Sequence, residues 1–342
     1  MSSARKRVVD GRALNTSRDR SFRWLIVLTI TVLGVWGGGR TGASAFLDDG
    51  QRRAAPPTEQ PPAALPPTTP EKTQSWTQQL EAADRGDAAA QFDVGARYAA
   101  GDGVPRDYVQ AVKWWRRAAA QGRADAQLNL AVAYQNGVGV PKDAAEAVEW
   151  YRKAAEQGDP DAQLSLGEAY QDGDGVPSNA GEAVRWWRKA ADQGNVPAQN
   201  HLGQAYHDGQ GAPQDFTQAL QWYRKAAEQG HGQAQTNLGF MYQNGESVAR
   251  DPGQAVQWWR QAAERGNASA LYNLAVAYHN GDGVMQDYIE SYKWVEIAED
   301  HASDERRPKY AALRTALIAK MTPAQIADPP QRGRQWTDAV RK

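Results

Sequence analysis

The chain has 342 residues, a net charge of -1 and no cysteine, which excludes a disulfide framework and thiolate chemistry. Its mean hydropathy of -0.72 makes most of it water-facing. Eight cations and two anions precede residue 41, so the net -1 leaves -7 on the remainder and removes the electrostatic case for binding nucleic acid.

Residues 1–23 form a basic tail, and residues 24–39 carry no charge between Arg23 and Arg40. That layout is held positive-inside at a membrane. The run is shorter than the roughly 20 residues that span a bilayer comfortably. With Ala43-Ser44-Ala45 as a small-x-small cleavage pattern it reads as a signal peptide. The length of the preceding tail supports a retained signal anchor instead, and an ordinary buried helix is a third reading. The first two predict export across the inner membrane, into the periplasm or onto a membrane anchor with the folded part outside the cytoplasm. Residues 46–72 hold Pro56-Pro57, Pro61-Pro62, Pro66-Pro67 and Pro70, a density that predicts an extended linker without a core. Residues 73–86, with Trp76 and Leu80, predict a capping helix.

From residue 87 to 302 one 36-residue unit recurs six times, the mark of a stacked-repeat solenoid. In the first helix of each unit Val94, Leu130, Leu166, Leu202, Leu238 and Leu274 form one column. A small residue follows each, and a tyrosine comes four on: Tyr98, Tyr134, Tyr170, Tyr206, Tyr242 and Tyr278. Leucine and tyrosine at that spacing share a helix face; the small residue admits a second helix at close range. A glycine ends the helix, and Asp or Asn opens the next as an N-cap, as at Gly137 and Asp143. The second helix carries an aromatic doublet such as Trp150-Tyr151, then an arginine, Ala-Ala and a closing glycine. The first aromatic reads as core and the second as packing between units. Arg152 with Glu156 and Arg188 with Asp192 read as solvated pairs. The fifth loop, Gly245-Glu246-Ser247-Val248-Ala249, lacks the second glycine and the proline of earlier loops. Residues 303–328 predict helical caps, with Thr322-Pro323-Ala324-Gln325 as a capping box, and residues 329–342 form a tail.

These columns, above all the run LAVAYQNGVGVPKDAAEAVEWYRKAAEQGDPDAQ from Leu130 to Gln163, resemble the Sel1-like repeat, a relative of the tetratricopeptide repeat. The closing KMTPAQIA also looks like that of bacterial members. The resemblance implies an all-α, α/α solenoid that acts as a non-catalytic adaptor or regulator. It implies protein partners, often in the bacterial cell envelope, and no cofactor. Some bacterial members are disulfide-stapled; a chain without cysteine does not share that property.

Some first-helix columns vary where the core columns do not. Residues at offsets of zero, one and four are expected on one face, and the resemblance places first helices on the concave side. Phe92, Asp93, Asn129, Val132, Glu168, His201, Gln204, Phe240, Tyr272 and Asn273 are therefore the expected partner contacts. Two other functions compete: a cell-wall accessory that stacks glycan on the aromatic rows, and a secreted effector that binds host proteins. No nucleophile motif, phosphate loop or zinc spacing is present, so no catalytic, cofactor or metal residue and no small-molecule substrate is expected. His207 and His279 share a column two units apart, too distant to hold one metal.

Overall fold

The computed structural model describes residues 70–327. Residues 24–39, on which all three readings of the uncharged run rest, and nearly all of the proline-rich linker lie outside them. Among the described residues there are fifteen helices and no strand. Helix α1 (Pro70–Asp84) is the cap. Then come α2 (Ala88–Ala100) with α3 (Tyr108–Ala120), α4 (Ala124–Asn136) with α5 (Ala144–Glu156), and α6 (Pro160–Asp172) with α7 (Ala180–Asp192). They are followed by α8 (Val196–Asp208) with α9 (Phe216–Glu228), α10 (Gly232–Asn244) with α11 (Pro252–Ala263), and α12 (Ala268–Asn280) with α13 (Tyr288–Asp300). The array closes with α14 (Arg307–Ile318) and α15 (Pro323–Ala327). Each helix packs on its neighbours in sequence, so the six pairs are the six repeats. The cap starts earlier than expected, at Pro70, because proline costs no hydrogen bond in a helix's first turn.

Local signals place the helix ends. Asp107, Asp143, Asn179, Asp215, Asp251 and Asp287 each accept a backbone N–H from the first turn of a second helix. The capping box forms in both directions: Gln325 Oε1 accepts the Thr322 N–H at 2.9 Å, and Thr322 Oγ1 accepts the Gln325 N–H at 3.3 Å. The second loop glycine has a separate role. A Cβ on Gly175 would fall 2.1 Å from the Ala144 carbonyl oxygen, so the loop of one unit lies directly on the start of the previous unit's second helix. In the fifth loop Ser247 stands at that register, at φ 54°, with its hydroxyl 3.1 Å from that of Thr217.

The leucine column and Val94 are fully buried. Each such side chain contributes about 1.5–3 kcal/mol of apolar burial, but only in the stack. Each first helix is wedged between its own second helix and that of the preceding unit.

The first aromatic is core, as expected, with Trp114, Trp186, Trp222 and Trp294 buried; the second departs from expectation and packs inside its own unit, against the small residue of the first helix. A Cβ on Gly95, Gly167 or Gly239 would fall 2.4–2.6 Å from the ring of Trp115, Trp187 or Trp259. Tryptophan always meets glycine here; alanine occurs only opposite the smaller Tyr151 and Val295. The first aromatic makes the contact between units. Trp186 packs among Leu128, Val132 and Tyr151 of the unit before it, and Trp222 among Leu164 and Trp187. Cations cover these rings, with Lys153 Nζ 3.8 Å from the Trp150 centroid and Lys225 Nζ 3.9 Å from that of Trp222.

The arginines also depart from expectation. Arg152 pairs with Glu149, not Glu156, and reaches Tyr170 Oη at 3.3 Å in the next unit. Arg116 donates to Tyr134 at 2.8 Å, Arg224 to Tyr242 at 3.1 Å and Arg260 to Tyr278 at 2.9 Å, and Arg188 lies over the ring of Tyr206. The Arg–Tyr pair is a stitch between units.

A second stitch runs through buried glutamines. Gln163 Nε2 donates to the Ala155 carbonyl of the preceding unit at 3.0 Å, while its Oε1 accepts from Gln193 Nε2 at 2.8 Å. Gln91, Gln127 and Gln199 repeat the relay, and Gln235 keeps the backbone bond to Ala227. The bond gives a second donor to a helix-end carbonyl that already accepts the closing glycine's N–H, as Ala155 accepts Gly158 at 3.1 Å.

Candidate partner-binding surface

The expected strip runs along the first helices, and three of its residues are corrected. Phe92, Asn129 and Val132 are only 1%, 5% and 7% exposed, so they cannot meet a partner. A helix packed between two others buries a wider arc than one stripe, and the zero-offset column of Phe92 falls inside it; Asn129 and Val132, at offsets one and four, are buried in the second unit, where Val132 shares a core cluster with Trp186 of the next unit. Arg123 further covers Phe92, its Cζ 4.8 Å from the ring centroid. Tyr272 is half-buried, and its ring is taken by an internal stack on Tyr310 of α14, with centroids 4.5 Å apart. Asp93 is half-buried and accepts from Gln79 of the cap at 3.3 Å; burial raises its carboxyl above the ordinary range.

Glu168, His201, Gln204, Phe240 and Asn273 remain accessible. The stacking brings residues of successive units together: the offset-four residue of one first helix meets the offset-one residue of the next. Thus Glu168 Oε1 lies 3.3 Å from His201 Nε2, and the imidazole stacks on Trp187 at 4.9 Å. Phe240 of α10 and Asn273 of α12 line one cavity of about 130 Å³, joined by Gln243, Trp259, Val276 and Asp282. Phe240 is 43% exposed and meets Trp259 edge-on. Gln243 and Asp282 escaped the sequence reading. Gln243 directly follows Tyr242 and stands one turn past Phe240, in a column that holds Gln135, Gln171, His207 and His279 elsewhere.

The irregular fifth loop has a charge of its own. His207 Nδ1 lies 2.8 Å from Asp208 Oδ1, and its Nε2 lies 2.9 Å from Glu246 Oε2. The hydrogen bonds to Asp208 and Glu246 outweigh burial and push the imidazole up to about 9. Glu246 is held below the ordinary carboxylate value, chiefly by His207. A raised folded-state histidine stabilises fully below its unfolded value of about 6.5, and the gain is lost as pH rises through about 9. Glu246 contributes above its ordinary value and loses that contribution in acid. His207→Gln is therefore expected to remove a stability loss between pH 7 and pH 9 on the order of 1 kcal/mol, allowing for solvent screening. Urea melts across that range read it.

The aromatic rows offer no glycan ladder, since Trp115 and Trp187 are 2% and 5% exposed. Among the described residues no three His, Asp or Glu side chains converge on a metal position. No described helix is long and apolar enough to cross a membrane.

Helix pairs of fixed period, stitched at every joint and varied on one face, define an α-solenoid of the interaction-scaffold class. The Sel1 repeat pattern matches residues 88–122, 124–159, 160–195, 196–231, 232–267 and 268–302, and the chain belongs to that family. Repeats of this kind mediate protein–protein interaction and are typically non-catalytic. Among solved structures, the protective antigen c5321 of uropathogenic Escherichia coli is 36% identical, with a TM-score of 0.66 over 76% of this chain and 56% of that one. The chain thus spans little more than half of that protein's length. A Sel1 repeat protein from Oxalobacter formigenes is 34% identical, with a TM-score of 0.64 over 68% of this chain and 95% of that one. Among curated proteins no relative matches.

Proposed function

We propose that this chain is an exported, non-catalytic scaffold of the bacterial cell envelope that binds a protein partner along its first-helix strip. One observation carries the reading. The recurrent residues are spent on stacking, while accessible, varied residues of successive units meet across the joints, as Glu168 with His201 and Phe240 with Asn273. Export rests on the charge layout around residues 24–39, which also decides whether a membrane is a second partner. That a solved relative is a protective antigen is in keeping with a position outside the cytoplasm.

Glu168→Lys combined with Gln204→Lys tests the strip. Both residues are accessible, so the doubly substituted chain is expected to keep its helical circular dichroism and to lose at least tenfold in partner recovery, a loss of about 1.4 kcal/mol. Unchanged recovery by a folded variant would remove the strip from the reading. Sequencing the mature N-terminus from membrane and periplasmic fractions tests export; a start near residue 46 marks cleavage, an intact N-terminus in the membrane marks an anchor, and recovery in the cytoplasm contradicts both.

A further inference from the structure

The first-helix face is charged unevenly along the array. Helix α6 carries three acids, Asp161, Glu168 and Asp172, and no cation. Helix α14 carries three cations and no acid. It fills the place of a seventh first helix, with its Tyr310 stacked on Tyr272 of α12. Helices α10 and α12 carry no Asp, Glu, Lys or Arg. Helix α10 stands midway, two first helices from α6 and two from α14.

The two charged sets also match in level along the helices. Arg306, at the start of α14, donates to Ser269, which holds the place of Asp161 in the repeat. Lys309 Nζ lies 4.9 Å from the ring centroid of Tyr272, whose place in the third unit is one turn before Glu168. Lys320, just past α14, lies 3.2 Å from Nε2 of His279, whose place is next to that of Asp172. The three cations are exposed, as are Asp161 and Asp172, and Glu168 keeps 32% of its side-chain surface.

We infer that two copies of the chain pair through their first-helix faces, around a two-fold axis that runs along α10. Such an axis reverses the order of the units and keeps each level. The α14 of one copy then lies across the α6 of the other. Arg306 meets Asp161, Lys309 meets Glu168, Lys320 meets Asp172, and each pairing occurs twice. Opposite charges facing each other set the register. An axis along α6 would set its acids against themselves. At α10 the axis meets no charged side chain, and the exposed Phe240 lies there. A second copy seated on the strip has to leave before another protein can bind there, so the pairing goes beyond the reading of the strip as a partner surface.

Sedimentation velocity of the full chain in a non-ionic detergent tests the pairing. The parent is expected to form a concentration-dependent dimer that weakens between about 0.05 M and about 0.5 M salt, as exposed charge pairs do. Asp161→Lys with Glu168→Lys, and separately Lys309→Glu with Lys320→Glu, should each raise the dissociation constant at least about tenfold with helical circular dichroism unchanged. Mixed in equal amounts, the two variants should form a dimer again, because each carries the charge that the other's faces now oppose. A parent that stays monomeric, variants that dimerise as the parent does, a mixture that stays monomeric, or a parent that grows past the dimer would overturn the inference. If the parent is monomeric while Glu168→Lys with Gln204→Lys still abolishes partner recovery, the strip stands as a partner surface and only the pairing falls.

Discussion

Gly167→Ala is expected to destabilise the array by about 1–3 kcal/mol, the usual cost of forcing a carbon into a packed interior. The new Cβ would sit 2.4 Å from Cδ1 of Trp187. That ring cannot swing aside: it is 5% exposed and His201 stacks on it. Helices α6 and α7 must then separate, and the contacts that α7 makes with α8 shift with them. Trp187→Tyr in the same chain should recover most of the loss, because it recreates the Ala131–Tyr151 pairing of the second unit. Thermal melts give the size of the effect. Amide exchange gives its place, which should be the third unit and its neighbours, since repeat arrays lose stability locally. A neutral Gly167→Ala, or a double variant no better than the single, would contradict the pairing.

Gln163→Ala should cost about 2–4 kcal/mol. It removes the donor to the Ala155 carbonyl and the acceptor for Gln193, and it opens a void where a side chain was 3% exposed. Gln163→Leu should cost less. The sixth unit carries Leu271 in this column, fully buried, so the joint tolerates an apolar side chain of that size. The ordering parent, leucine, alanine in chemical denaturation checks the relay. Equal loss for leucine and alanine would mean that the hydrogen bonds matter and the volume does not.

What the sequence made legible was whatever repeats within one chain segment. The terminating glycines and the N-caps are local, placed from residues a few positions apart, and the period and the leucine column follow from six copies of one unit spaced 36 residues apart. What it hid lies between segments. Arg152 sits near Glu156 along the chain but near Tyr170 in space, across a joint. The glutamine column is plain in the sequence at Gln91, Gln127, Gln163, Gln199 and Gln235, yet a polar residue at helical spacing reads as surface. Only the helix-end carbonyls of the preceding unit, each with room for a second donor, explain its burial. The second aromatic was misread for the same reason: which ring packs within a unit and which between units depends on the neighbour's position. The strip lost Phe92 because a helix wedged between two others has no free zero-offset column, and it lost Asn129 and Val132 to burial in the second unit, where Val132 packs with Trp186 at the joint to the third. It gained Gln243 and Asp282, which no periodicity marks.

The central claim is that recognition lies on the first helices and architecture everywhere else. A photo-reactive amino acid at position 204 or 240, compared with positions 149 and 185 on the exposed side of second helices, tests it inside the cell. The account predicts one protein cross-linked specifically from 204 and 240 and absent from 149 and 185. Cross-links to that protein from 149 or 185, with none from 204 or 240, would place recognition on the opposite helices and contradict it.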